Sequence, residues 1–110
     1  MLYDKRWEKS EVPVKLEPWQ ETLLAAADLI ERCGLAKKAF ERDGGFCTAG
    51  AIIRAAHPKD LIANHIGDPL VAKCLAAVGD QIGMRLIGLW NDKPSRTKAE
   101  VVAVLRAAAR

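Results

Sequence analysis

Twice in this chain a proline opens, and a glycine closes, a run of apolar residues with a helical repeat. Pro18 leads into Trp19, Leu23, Ala26, Ala27, Ile30 and Cys33, and Gly34 follows. Asp68-Pro69 leads into Leu70, Val71, Cys74, Leu75, Val78 and Ile82, and Gly83 follows. Proline suits a first helical turn, where its missing N–H has no intrahelical partner to lose. Glycine takes the positive φ that commonly ends a helix, and Asp68 is a strong N-cap residue. A third boundary is Thr97-Lys98-Ala99-Glu100, a capping box ahead of Val101, Val104, Leu105 and Ala108. The apolar residues recur every three or four positions, so each run presents one face to a core.

Between these runs, Cys47 to Ala56 is apolar almost all round, interrupted by Thr48 and Arg54. A short helix of that kind belongs in the middle of a bundle. Gly50 inside it weakens the helix by about 1 kcal/mol relative to Ala, so another backbone is expected to pass close by. Leu86, Ile87, Leu89 and Trp90 form a further short apolar segment, expected to be helical, with a turn over 91–94. Leu61, Ile62 and Ile66 are the expected inward residues of the stretch before Asp68. The sum is an all-α fold: a compact bundle of about four helices with short connections. A small β-hairpin near residues 36–48, turning at Asp43-Gly44-Gly45, is the one expected exception.

With 110 residues, half of them apolar and 28% charged, the chain has the size and composition of one globular domain. Residues 1–17, charged and interrupted by Pro13 and Pro18, read as an arm, and residues 18–110 as the domain. The charged start lacks the apolar run of a signal peptide, and no stretch approaches the ~20 apolar residues that span a bilayer. A cytoplasmic protein is therefore expected, with no membrane role. Cys33, Cys47 and Cys74 are odd in number and widely spaced, which suits packed thiols rather than disulfides.

Two blocks stand out together: Asp43-Gly44-Gly45-Phe46-Cys47-Thr48-Ala49-Gly50-Ala51-Ile52, and Trp90-Asn91-Asp92 with Arg96-Thr97 and Glu100-Val101. Joined to the helix Leu24–Glu31, this pattern resembles a family of uncharacterised small proteins of actinobacteria and their phages. The resemblance spans Trp19 to Ala109 and leaves the arm outside. It implies a single domain of bacterial or phage origin, supplies no catalytic residues, and is compatible with a phage-encoded copy acting in an infected host cell.

The chemistry-bearing residues do not assemble into a catalytic or cofactor motif. No pair among Cys33, Cys47, His57, His65 and Cys74 has the close spacing of a zinc motif, so no metal is expected. Cys47 and His57 stand too far apart along one helix for a nucleophilic dyad. Asp43-Gly44-Gly45 lacks the Lys-Ser/Thr of a phosphate loop. The chain is thus expected to be a non-enzyme without cofactors that binds another protein, such as a bacterial host factor, or a second copy of itself. Trp7, Trp90, Asn91, Asp92 and Arg96 are its candidate contacts, because Trp and Arg anchor interfaces.

The alternative is nucleic acid. The net charge of +3 is concentrated after Met84, where six basic residues face two acidic ones. Lys93, Arg96, Lys98, Arg106 and Arg110 would then carry the contact, although no polar recognition helix accompanies them.

Overall fold

The computed structural model describes residues 15–110. Helix α1 (Pro18–Cys33) starts at the expected proline, and the Glu17 N–H donates to Gln20 Oε1 at 2.8 Å. Helix α2 (Thr48–Ala56) is capped by Cys47, whose sulfur accepts from the Gly50 N–H. A 3-10 turn (Ile62–His65) leads to α3 (Pro69–Ile82). The Asp68 carboxylate accepts from Leu70 N and Val71 N there, and Gly83 closes the helix in the left-handed region at φ 76°. Helix α4 (Ile87–Asp92) is short. Helix α5 (Lys98–Ala108) begins in the expected capping box, with Thr97 and Glu100 satisfying each other's backbone N–H groups.

Among the described residues the fold is all-α apart from one small hairpin, β1 (Glu41–Arg42) and β2 (Gly45–Phe46), paired Glu41 to Phe46 and Arg42 to Gly45. Asp43 and Gly44 both have positive φ, 52° and 83°. That is the two-residue turn whose twist matches antiparallel strands.

The core forms where the stripes meet. Leu23, Ala26, Ala27 and Ile30 of α1, Ile52 and Ile53 of α2, Val71, Cys74 and Val78 of α3, and Val101 and Leu105 of α5 are buried together. α1 and α5 run antiparallel: Gln20 Nε2 donates to Ala109 O, and Lys98 Nζ donates to Glu31 O. α2 lies inside, as a helix apolar on nearly every side must. A Cβ on Gly50 would collide with the backbone carbonyl of Phe40, which is the close approach its glycine implied.

Three expectations are corrected. Cys33 is exposed, because α5 begins opposite Glu31 and does not reach over the last residue of α1. Leu61 and Ile66 face solvent, since the tight turn directs only Ile62 inward. Asn91 and Asp92 are the last turn of α4 rather than a loop, and the turn falls on residues 94–95. Across the α1–α5 seam the exposed Asp28 and Glu31 both meet Arg106, at 3.2 and 2.5 Å.

Candidate interaction site at helix α4

α4 has two kinds of residue. Ile87 and Asn91, four apart and so on one face, point inward and are buried; Leu86 at its entrance and Leu89 are 61% and 65% exposed. No side chain caps its start at Leu86. Six residues without a cap are too short to hold a helix alone, so tertiary bonds must fix it.

Those bonds converge on Asn91, which is 1% exposed. Its Oδ1 accepts from Thr48 N at 2.8 Å and Thr48 Oγ1 at 2.7 Å. Its Nδ2 donates to Ala36 O at 3.0 Å and Asp92 Oδ1 at 3.1 Å. One amide therefore joins α4 to the start of α2 and to the strand-like stretch before the hairpin. Asp92 continues the clamp. Its Oδ1 accepts from Lys38 N at 2.8 Å, which holds Lys38 at a positive φ of 63°. That backbone bond, aided by Asn91 and the nearby Lys38 and Lys37 charges, holds the Asp92 carboxyl below its ordinary range.

Arg96 closes the other side. Its Nε donates to Trp90 O at 3.0 Å, its guanidinium lies 4.2 Å from the centre of the half-buried Trp90 ring, and Nη1 stands 3.5 Å from Glu100. Arg96 thus serves the carbonyl end of α4, and among the described residues it forms no hydrogen bond or ion pair with Asp92.

Beside this clamp runs a groove of about 810 Å³. Phe40, Leu75, Leu86 and Leu89 give it an apolar lining; its charged lining residues are Lys38, Arg85 and Asp92. Among the described residues Arg85 has no ion-pair partner. The hairpin supplies one wall through Phe40, whose carbonyl accepts from Cys47 N at 3.0 Å. The groove therefore depends on the Asn91–Asp92 clamp, which fixes α4 and the hairpin segment relative to each other.

The chain belongs to a family of unknown function, DUF6197. The family's sequence profile matches residues 15–110, the same stretch that carries the bundle, the clamp and the groove. No curated protein and no solved structure matches this DUF6197 chain.

The structure sorts the sequence-derived candidates in this family member. Trp90, Asn91, Asp92 and Arg96 come together, but Asn91 is interior and holds the site without reaching its surface. Trp7 lies outside the described residues. Of the basic set, Arg106 is engaged by Asp28 and Glu31, Lys98 by Glu31 O, and Arg96 by Trp90 and Glu100; Lys93 and Arg110 are exposed.

The groove residues Phe40, Leu86 and Leu89 were missed as contacts, because periodicity marks apolar residues as core whether or not a neighbour covers them. Cys47 and His57 cap opposite ends of α2, roughly 15 Å apart at the rise of an α-helix. Burial pushes the Cys47 thiol up and the Cys74 thiol up to about 11, so both are held protonated at neutral pH.

Proposed function

We propose that the protein works by binding another protein in the α4 groove. The occupant is an amphipathic helical segment with apolar anchors and acidic flanks. The observation that carries this reading is the exposure of Leu86 and Leu89 on a helix whose inward face is already fully packed and bonded. Grouped apolar side chains left open beside a concave surface are the usual mark of a contact site. A helix laid into such a groove reads as anchors at positions i, i+3 or i+4, and i+7.

The acidic flanks follow from Lys38 and Arg85 at the groove, where the one carboxylate, Asp92, is already engaged by Lys38 N and Asn91, and from the net charge of +3. The role is non-catalytic and belongs to the bacterial cytoplasm. The resemblance to actinobacterial and actinophage proteins directs the search to a bacterial host factor. Nucleic acid is the weaker reading, because Arg96, Lys98 and Arg106 already have partners within the chain.

The test places a photo-crosslinking benzoyl-phenylalanine at Leu89, with a control at exposed Glu21, in the tagged full-length chain. Both proteins are irradiated in nuclease-treated bacterial lysate. A protein crosslinked from position 89 alone, through a segment with helically spaced apolar residues flanked by Asp or Glu, supports the proposal. A product that disappears with nuclease, a product that is only the chain's own dimer, or equal labelling at both positions overturns it.

A further inference from the structure

The segment between α2 and α3, residues 57–68, carries an arrangement that the groove does not use. His57 ends α2, His65 ends the 3-10 turn, and Asp68 caps α3. The chain returns on itself so that the two imidazoles stack, with ring centroids 3.5 Å apart and planes within 9° of parallel. One donor atom from each of His57, His65 and Asp68 lies within 4.8 Å of the others. Their side chains are 24%, 22% and 23% exposed, so the cluster is partly shielded and still open to solvent on one side.

Two features suit this cluster to a ligand. The Nε2 atom of His57 is buried and has no hydrogen-bond partner among the described residues; Asp68 Oδ1 stands off at 3.6 Å. A buried ring nitrogen left without a partner is unusual in a well-packed protein. Asp68 accepts both backbone N–H groups of α3 through Oδ2, which leaves Oδ1 facing His57.

The surrounding loop is also fixed in advance. Arg54 Nη1 donates to the carbonyls of His57, Pro58 and Asp60, at 3.5, 3.1 and 2.8 Å. Asp60 Oδ2 bonds His65 Nε2 at 2.8 Å. A carboxylate on the second nitrogen of a histidine is the usual device for fixing its tautomer and orientation when the ring binds a metal.

We infer that His57, His65 and Asp68 form a binding site for a divalent transition cation of the zinc class, with Asp60 as the positioning residue for His65. Two imidazoles and one carboxylate are zinc-type donors, whereas calcium and magnesium favour oxygen alone. Bonds of about 2.0–2.2 Å to such an ion run along the in-plane lone pairs of the imidazoles, so binding turns His57 and His65 out of their parallel stack. The bound ion ties the end of α2 to the start of α3 and leaves one position for water. The sequence concealed the site because its ligands follow no short motif; the 3-10 turn and Arg54 bring them together.

The experiment uses the full-length protein, stripped with a chelator, dialysed and titrated with Zn²⁺ by calorimetry, with Co²⁺ as the spectroscopic substitute. One equivalent binds and raises Tm. Asp68→Asn keeps an N-cap acceptor for α3 and removes the charged ligand; it and His65→Gln each weaken binding by at least about 100-fold. Asp60→Asn weakens it by about 10–100-fold, and Cys33→Ser leaves it unchanged. Absence of saturable binding, binding indifferent to Asp68→Asn and His65→Gln, or binding abolished by Cys33→Ser overturns the assignment.

Discussion

The two short stretches on either side of residues 94–95 reach helical structure by opposite routes. α5 carries its own instructions: the Thr97–Glu100 box at its start, a continuous apolar stripe, and Arg106 bound to Asp28 and Glu31 of α1. α4 has no capping side chain, spans six residues and exposes Leu86 and Leu89. It is held by Asn91, Asp92 and Arg96, whose partners lie on α2, the segment before the hairpin, and α4's own carbonyl end. The locally encoded α5 buries Val101, Val102, Leu105 and Ala108 in the core. A helix held from one face leaves the opposite face free for a partner.

The largest expected effect comes from breaking the clamp. Asn91→Leu leaves Thr48 N and Ala36 O without partners in the interior, and buried groups stranded this way cost about 1–3 kcal/mol each. A loss of about 3–5 kcal/mol in urea unfolding is expected, together with loss of the groove. Next is Gly50→Ala, which improves helix propensity yet drives a methyl group into the Phe40 backbone. It is expected to destabilise by about 1–3 kcal/mol, as overpacked core substitutions do. If it stabilises instead, the hairpin is not seated against α2 as described. Thr97→Ala tests the local route: loss of one N-cap lowers stability by about 1 kcal/mol, with capture at position 89 unchanged.

The pH response separates the two regions further. The folded-state pKa of Asp92 is depressed, so its contribution is present above the unfolded value of about 3.9 and is lost as pH falls through the folded value. Glu100 and Asp68 shift in the same direction through their own capping bonds. Acid unfolding of the parent protein therefore contains all three carboxylates. Asp92→Asn keeps the acceptor oxygen and removes the charge, so its unfolding curve flattens at acid pH by the clamp's share alone. An unchanged acid limb would assign that dependence to the helix caps. The smallest effect on stability belongs to Leu86→Glu, within about 0.5 kcal/mol for an exposed position, but it abolishes partner capture from position 89. That contrast is the sharpest division between holding α4 and using it.

The sequence by itself determined the helices that carry their own punctuation. Pro18 and Gly34, Asp68-Pro69 and Gly83, and Thr97 with Glu100 mark boundaries through the φ preferences and backbone groups of the residues themselves. Gly50 also announced a close backbone contact, though not which backbone. In the site, Trp90, Asn91, Asp92 and Arg96 were legible as one group, while their division into interior bolt and surface residue was not.

Tertiary structure alone decided that Asn91 is buried, that Leu86 and Leu89 are open, that Cys33 lies beyond the reach of α5, and that His57 and His65 stack. The reason is physical: periodicity reports the face of a helix, but whether a neighbour covers that face depends on where other elements begin and end. Polar bonds such as Asn91 to Ala36, or Arg54 to the 57–60 carbonyls, join residues through space and leave no periodic trace along the chain.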